Sequence, residues 1–359
     1  MSSSDPSAPE EAVADASATD ATPADGARRS IGSRGLRLIP WAVTLAALGW
    51  IGWTTDFDGI VDAVAGANAA LFFGAMMGLY VVLWFVDSVA IAWVYRRYHA
   101  PNLRVRDVVP VRGATYILGI LNYAVGAAAM ALYFRRKHRV GLVEGGASLL
   151  VLMAVDFGLA MILVIVGGAV LPDGWREITL VIGAIFALAV IGHLLFWRGP
   201  WTWGPLERVR QHPKLGGFRD ATIADYATMA ALRAPVVGLY VCMHLATLAA
   251  FDIDVPLARL LVYVPVQMVI AALPLSVGGL GTVQAAQRVF YGPWVDTTGV
   301  DAAAGVDPSI AIVDAYALTL FFGFLVPRVL IGLGCLRAVG DALAETPGPD
   351  SPSSSEPTP

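Results

Sequence analysis

Among the ionisable residues inside or at the edges of long apolar runs, which include Arg259 and Arg288, the candidates for chemistry are Asp87, Asp156, Arg233 and Arg328. A charge at membrane depth costs at least about 2.5–3.5 kcal/mol on insertion scales, so each needs a partner or a task. Asp87 lies nine residues before Arg96, about 13 Å along a helix from a basic flank. Asp156 is near the middle of its run, and Arg328 follows Pro327, nine residues before Arg337. Asp156 and Arg328 suit an ion pair between helices or a direct task. Asp87 suits a packing hydrogen bond from a protonated carboxyl, or a proton relay. Arg233 is shallower and can reach lipid headgroups by extending its side chain. A second pattern is Leu273-Pro274-Leu275-Ser276-Val277-Gly278-Gly279-Leu280-Gly281-Thr282-Val283-Gln284. Pro and Gly free backbone groups there. The helix that follows aims its positive end at the break, which favours an anion such as a phosphate. Gln284 and Arg288 are four apart and share a face of that helix. A simple helix kink is the alternative. No βαβ unit surrounds these glycines, so they are not a dinucleotide fingerprint.

The elements that must position these residues follow from composition. Of 359 residues, 57% are hydrophobic and 14% charged, and the mean hydropathy is +0.66. Soluble domains carry about 25% charged residues. A soluble enzyme, a disordered protein and a nucleic-acid binder are thereby excluded as the main reading. Cys242 and Cys335 lie in apolar runs, and the five histidines are scattered. Neither a metal motif nor a cofactor is expected.

Residues 1–37 form a leader, of which 1–30 hold no Leu, Ile, Phe, Trp or Tyr. Such composition cannot offset chain entropy and reads as disordered. The tail, 341–359, reads the same way. Between them, spans are expected at 38–54, 69–95, 144–171, 177–197, 225–251 and 309–336. Gly74 and Gly78 form a GxxxG pair, read as a helix-packing face. Lys and Arg concentrate in the leader, in 96–112, in 135–139, in 198–224 and at Arg337. These segments are expected on the cytoplasmic side of the cell membrane (plasma or inner), with both termini there.

Two runs conflict with simple crossing. Run 113–134 has basic segments on both flanks, so it is expected to enter and return, turning near Gly119, Asn122 and Gly126. Its 22 residues would make arms of about 16 Å. Run 256–291 lies between acidic loops and is broken at Pro274, Gly278, Gly279 and Gly281, so it is expected to re-enter from outside. The fold expected is an all-α polytopic membrane protein with about six full spans and two broken helical hairpins. The order span, span, hairpin, span occurs twice with opposite starting sides. That is an inverted repeat, and its broken segments point to a binding site. Eight ordinary spans with one violation of the charge rule is the alternative.

The Pro-x-Ser-x-Gly-Gly-x-Gly run before a helix resembles the lysylphosphatidylglycerol synthase transmembrane-region family, the flippase-like domain. Asn122, Asp156 and Arg328 are the supporting matches, and the resemblance covers about residues 38–340. It implies a bundle that moves or exposes lipids such as aminoacylated phosphatidylglycerol or polyprenyl-phosphate-linked substrates. Two positions depart from it. Gln284 stands where the family usually has Glu, and Val125-Gly126-Ala127-Ala128-Ala129 replaces a Pro and a Gly-Glu pair. Glu144 and Asp87 are the candidate substitutes for those two carboxylates in a proton relay. About twenty residues follow the last span, with no room for an aminoacyl-transferring domain, so no enzyme is expected. The expected function is translocation of an anionic phospholipid or polyprenyl-phosphate-linked lipid. Arg288 and Arg328 would face the phosphate, helped by Gly278, Gly279 and Gly281, while Asp156 orients Arg328 or relays a proton. A non-catalytic scaffold for a lipid or cell-wall biosynthetic enzyme is the alternative. Membrane lipids are the expected partners, and nucleic acid is not.

Overall fold

The computed structural model describes residues 69–121, 123–168, 173–199, 204–212, 215–272, 281–298 and 307–344. The leader, run 38–54, Asn122, the break 273–280 and residues 345–359 lie outside these. The described residues are helical and contain no strand. The helices are α1 (Ala69–Tyr98), α2 (Val105–Leu121), α3 (Tyr123–His138), α4 (Leu142–Gly167) and α5 (Asp173–Arg198). After the short α6 (Gly204–Arg210) and α7 (Gly216–Arg219) come α8 (Ile223–Ala250), α9 (Leu257–Ala272), α10 (Thr282–Tyr291) and α11 (Pro308–Ala344). Five of them, α1, α4, α5, α8 and α11, are long and apolar enough to cross a membrane. Helices suit that solvent because every backbone polar group is satisfied within the segment. Pro110, Pro265, Pro235 and Pro327 stand inside helices. In a bundle, neighbouring groups can satisfy what a proline frees. The last helix runs to Ala344, four residues into the expected tail, where Ala342, Leu343 and Ala344 are good helix formers.

Both broken runs fold back on themselves. A Cβ on Gly126 would lie 3.1 Å from the Thr115 carbonyl oxygen and 3.3 Å from Gly119. In one straight helix, residues 115 and 126 would be about 16 Å apart. So α2 and α3 lie against each other as a hairpin, and Gly126 allows the backbones to approach. The arms, of 17 and 16 residues, are about 25 Å long, not the 16 Å expected. The extra length comes from the polar starts and ends, Val105–Arg112 and Arg135–His138, which sequence assigns to loops. In the second run, Tyr263 stacks on Phe290 at 4.5 Å. Gln287 donates to Gln267 Oε1 at 3.0 Å, and Gln267 donates to the Tyr291 hydroxyl at 2.7 Å. Thus α9 and α10 also lie antiparallel about the 273–280 break.

The packing has an exchange pattern. Helix α1 packs on α8, α2 on α11 and α9 on α4, while α11 packs on α1 and α4 on α8. Replacing α1–α4 by α8–α11 in order, and the reverse, leaves this set unchanged. Glycine sets the α2–α11 distance: a Cβ on Gly113 would collide with Cys335 Sγ, and one on Gly332 with Ile117. Gly74 and Gly78, expected to pack, meet nothing within 4 Å. Their face is open among the described residues.

The basic segments meet at one end. There Arg97 Nε donates to Asp225 at 2.9 Å, joining α1 to α8. Arg198 donates to the Ala221 carbonyl at 2.7 Å, and Trp197 stacks on Phe218. Thr222 and Asp225 close a capping box at the start of α8. The connections at the opposite end carry Asp252, Asp254, Asp296 and Asp307.

Candidate functional site

Two clusters of ionisable residues occupy the bundle. The first is a quartet drawn from four helices. Asp87 on α1 accepts from Arg112 Nε of α2 and from Arg233 Nη1 of α8. Arg233 also holds Asp156 of α4 through two bonds, Nε to Oδ1 at 2.5 Å and Nη2 to Oδ2 at 2.6 Å. Two guanidiniums thus meet two carboxylates, and the planar fork of Arg233 engages Asp156 with both prongs. Desolvating each ion costs several kcal/mol, and only complementary charge at this geometry offsets it.

These pairings differ from the sequence expectation in three ways. Arg233 does not extend to the headgroups; it is buried at 6% exposure inside the quartet. Arg112 is not part of a loop but sits in the second turn of α2, pointing at Asp87. Asp156 pairs with Arg233 and not with Arg328. Asp87 has two cationic partners, which favour its ionised form over the protonated packing group.

Arg328 forms the second cluster. Its Nε donates to the Tyr80 hydroxyl at 2.5 Å. Its guanidinium carbon lies 5.8 Å from the Tyr80 ring centre and 5.9 Å from that of Phe324. Tyr80 meets Tyr116 edge-on, with ring centres 5.6 Å apart, and Tyr240 packs against Phe324. Among the described residues no carboxylate lies within ion-pair distance of Arg328. The Tyr116 hydroxyl is buried without a hydrogen-bond partner. Arg112 links the clusters, its guanidinium standing 4.8 Å from the Tyr116 ring centre. In the exchange pattern, the α8–α4 pair Arg233–Asp156 corresponds at the level of elements to the α1–α11 pair Tyr80–Arg328. By element, Tyr80 stands where the other pair has its guanidinium, and Arg328 stands where the other pair has its carboxylate.

The remaining candidates are dispersed. Arg288 is held by Asp314, Nε to Oδ1 at 2.6 Å and Nη2 to Oδ2 at 2.5 Å. Sequence reasoning missed Asp314; the signal was an acid seven residues into an apolar run. Gln284 does not turn toward Arg288: its Oε1 accepts from the Gly281 N–H at 2.5 Å, capping its own helix. Gly281 has φ +83°, a left-handed value that glycine reaches without a Cβ penalty. Gly278 and Gly279 lie outside the described residues, as does Asn122. Glu144 is in the first turn of α4, about 18 Å before Asp156, with its carboxylate beside Gly141. It is therefore at the basic end. His99, also at that end, bonds Ser148 Oγ at 2.7 Å, and burial lowers its pKa despite the opposing charge of Glu144.

Another missed group lies toward the acidic end. His244 Nδ1 meets the Tyr316 hydroxyl at 2.6 Å and the Tyr291 hydroxyl at 3.3 Å. Gln267 and Gln287 continue this buried network. Single apolar runs give no sign of it, because its members come from four helices. Among the described residues, no group of three or more His, Cys, Asp or Glu could hold a metal ion. No protein-family model matches this chain. No curated protein and no solved structure matches it either.

Proposed function

We propose that this chain moves or exposes an anionic lipid across the cytoplasmic membrane. The carrying observation is Arg328, a cation set among phenols with no carboxylate partner among the described residues. An ionisable group at such depth, paired with neutral aromatics, suits the charge of a substrate. Two hairpins folding back inside the bundle support the reading, since broken helices at membrane depth are tolerated where they border protein or a cavity. The exchange of α1–α4 with α8–α11 supports an inverted repeat, with run 38–54 and α5 as the span preceding each set. On this reading the basic end faces the cytoplasm. The molecule then has six spans, two hairpins and both termini inside, a polytopic bundle of the kind that the resemblance of the Pro274–Gly281 run implies. Arg328 meets the phosphate, with the quartet holding the surrounding helices. Arg288, tied to Asp314, steadies the second hairpin.

The test is headgroup-resolved lipid movement in proteoliposomes, with and without a pH gradient. Protein-dependent movement of an anionic lipid that Arg328→Ala abolishes is the expected result. A protein that moves no lipid and co-purifies with a lipid or cell-wall enzyme would be a scaffold instead. A response to the pH gradient would direct attention to Asp87 and Asp156 as proton carriers.

A further inference from the structure

We propose that the Arg328 site is matched to one negative charge, and therefore takes a phosphodiester headgroup and rejects phosphomonoesters and diphosphates. This rests on the lipid reading above and narrows it to a substrate class.

Among the described residues the two clusters and the Arg288–Asp314 pair hold four arginines, Arg112, Arg233, Arg288 and Arg328, and three aspartates, Asp87, Asp156 and Asp314. Outside this set, Asp225 pairs with Arg97 at the basic end, and Arg259, whose Nη1 is buried without a hydrogen-bond partner, lies in the first turn of α9 at the acidic end. Each of the three aspartates is engaged by an arginine, and Arg328 is the arginine of the set outside those ion pairs. Within the set the formal excess is one positive charge, located at Arg328. In a low-dielectric interior, charge must be balanced nearly one for one, because each uncompensated ion costs several kcal/mol. A phosphodiester carries one negative charge. A phosphomonoester carries between one and two near neutrality, since its second pKa is about 6. A diphosphate carries more.

The surroundings agree with the count. A second cation within reach would suit a dianion, but the groups around Arg328 are Tyr80, Tyr116, Tyr240 and Phe324. The nearest other guanidinium on that path, Arg112, is committed to Asp87 and covered by Tyr116. Donors are present for one anion. A guanidinium has five N–H donors, and the Tyr80 hydroxyl takes the one on Nε. Arg328 itself is partly exposed, while the Tyr116 O–H is buried and has no acceptor. A phosphodiester oxygen would satisfy both.

The experiment is competitive lipid binding to the purified full chain in detergent, read by native mass spectrometry at about pH 8, where a monoester is near its dianionic form. The probes are phosphatidylglycerol, phosphatidic acid and a polyprenyl monophosphate. Phosphatidylglycerol is expected to bind at least about tenfold tighter than either monoester, the ratio that 1.4 kcal/mol produces. Arg328→Gln should abolish that preference. Asp156→Asn keeps the Arg233 hydrogen bond but raises the excess of the set to two, and should move the preference toward the monoesters. Tyr80→Asp supplies a carboxylate and should abolish binding of all three. Equal or tighter monoester binding by the unaltered chain overturns the proposal, as does an unchanged ratio in Asp156→Asn. Lipid movement without charge preference sinks this proposal and leaves the translocator reading standing. Charge-selective binding without any movement does the reverse.

Discussion

The quartet Asp87–Arg112–Arg233–Asp156 and the cluster around Arg328 are neighbours with opposite logic. One closes its charge internally, with two carboxylates and two guanidiniums drawn from α1, α2, α4 and α8. The other leaves a guanidinium among rings, joined by one bond to Tyr80. Closed charge joins four helices, and removing any single partner strands a buried charge. Open charge is costly to keep, and the proposed function gives it a ligand that binds it. On that proposal the two regions divide stability from function within one membrane bundle.

The comparison can be broken by mutating each side. The largest stability effect is expected from Arg233→Ala, which strands two buried carboxylates. Removing one partner of a buried pair costs about 3–5 kcal/mol, and thermal unfolding in detergent should show it. Arg328→Ala should leave the unfolding midpoint unchanged or raised, because it removes an uncompensated charge. A destabilisation as large as that of Arg233→Ala would erase the distinction. Gly126→Val is next: the new side chain would press on the Thr115 carbonyl and Gly119. Overpacking of this kind costs about 1–3 kcal/mol and should open the first hairpin to cysteine labelling at position 122.

The smallest effect concerns pH at the basic end. Burial lowers the pKa of His99, so the folded chain binds its proton less readily than the unfolded one. The stability gained from neutral His99 is complete above the usual histidine range and is lost as pH falls through the lowered folded value. His99→Gln should flatten the acid limb of midpoint against pH by a small amount. An unchanged slope would remove His99 from that linkage.

Much of the fold was legible in the sequence, and the reasons are specific. Apolar runs and basic flanks mark α1, α4, α5, α8 and α11 within a few residues. The fold-back of 113–134 was legible from charge alone, since Arg135, Arg136, Lys137 and Arg139 repeat the sign of the preceding segment. Pairing was not legible. Helices that are apolar all round do not reveal which face meets which neighbour, so Arg233 gave no sign of Asp87 or Asp156. Arg112 sat among other basic residues just after Pro110 and looked like a loop. Asp314, His244, Gln267 and Gln287 depend on contacts between helices distant in sequence. Arg328 was legible as costly, but its partner was misjudged for the same reason.

On the proposed function, Arg328 handles the anion while the quartet holds the frame. The direct measurement compares movement of fluorescent phosphatidylglycerol by Arg328→Ala and by the unaltered chain, at matched amounts of folded protein in proteoliposomes. The account expects movement to fall to the protein-free rate while the unfolding midpoint is kept. Movement at the unaltered rate by Arg328→Ala would contradict it.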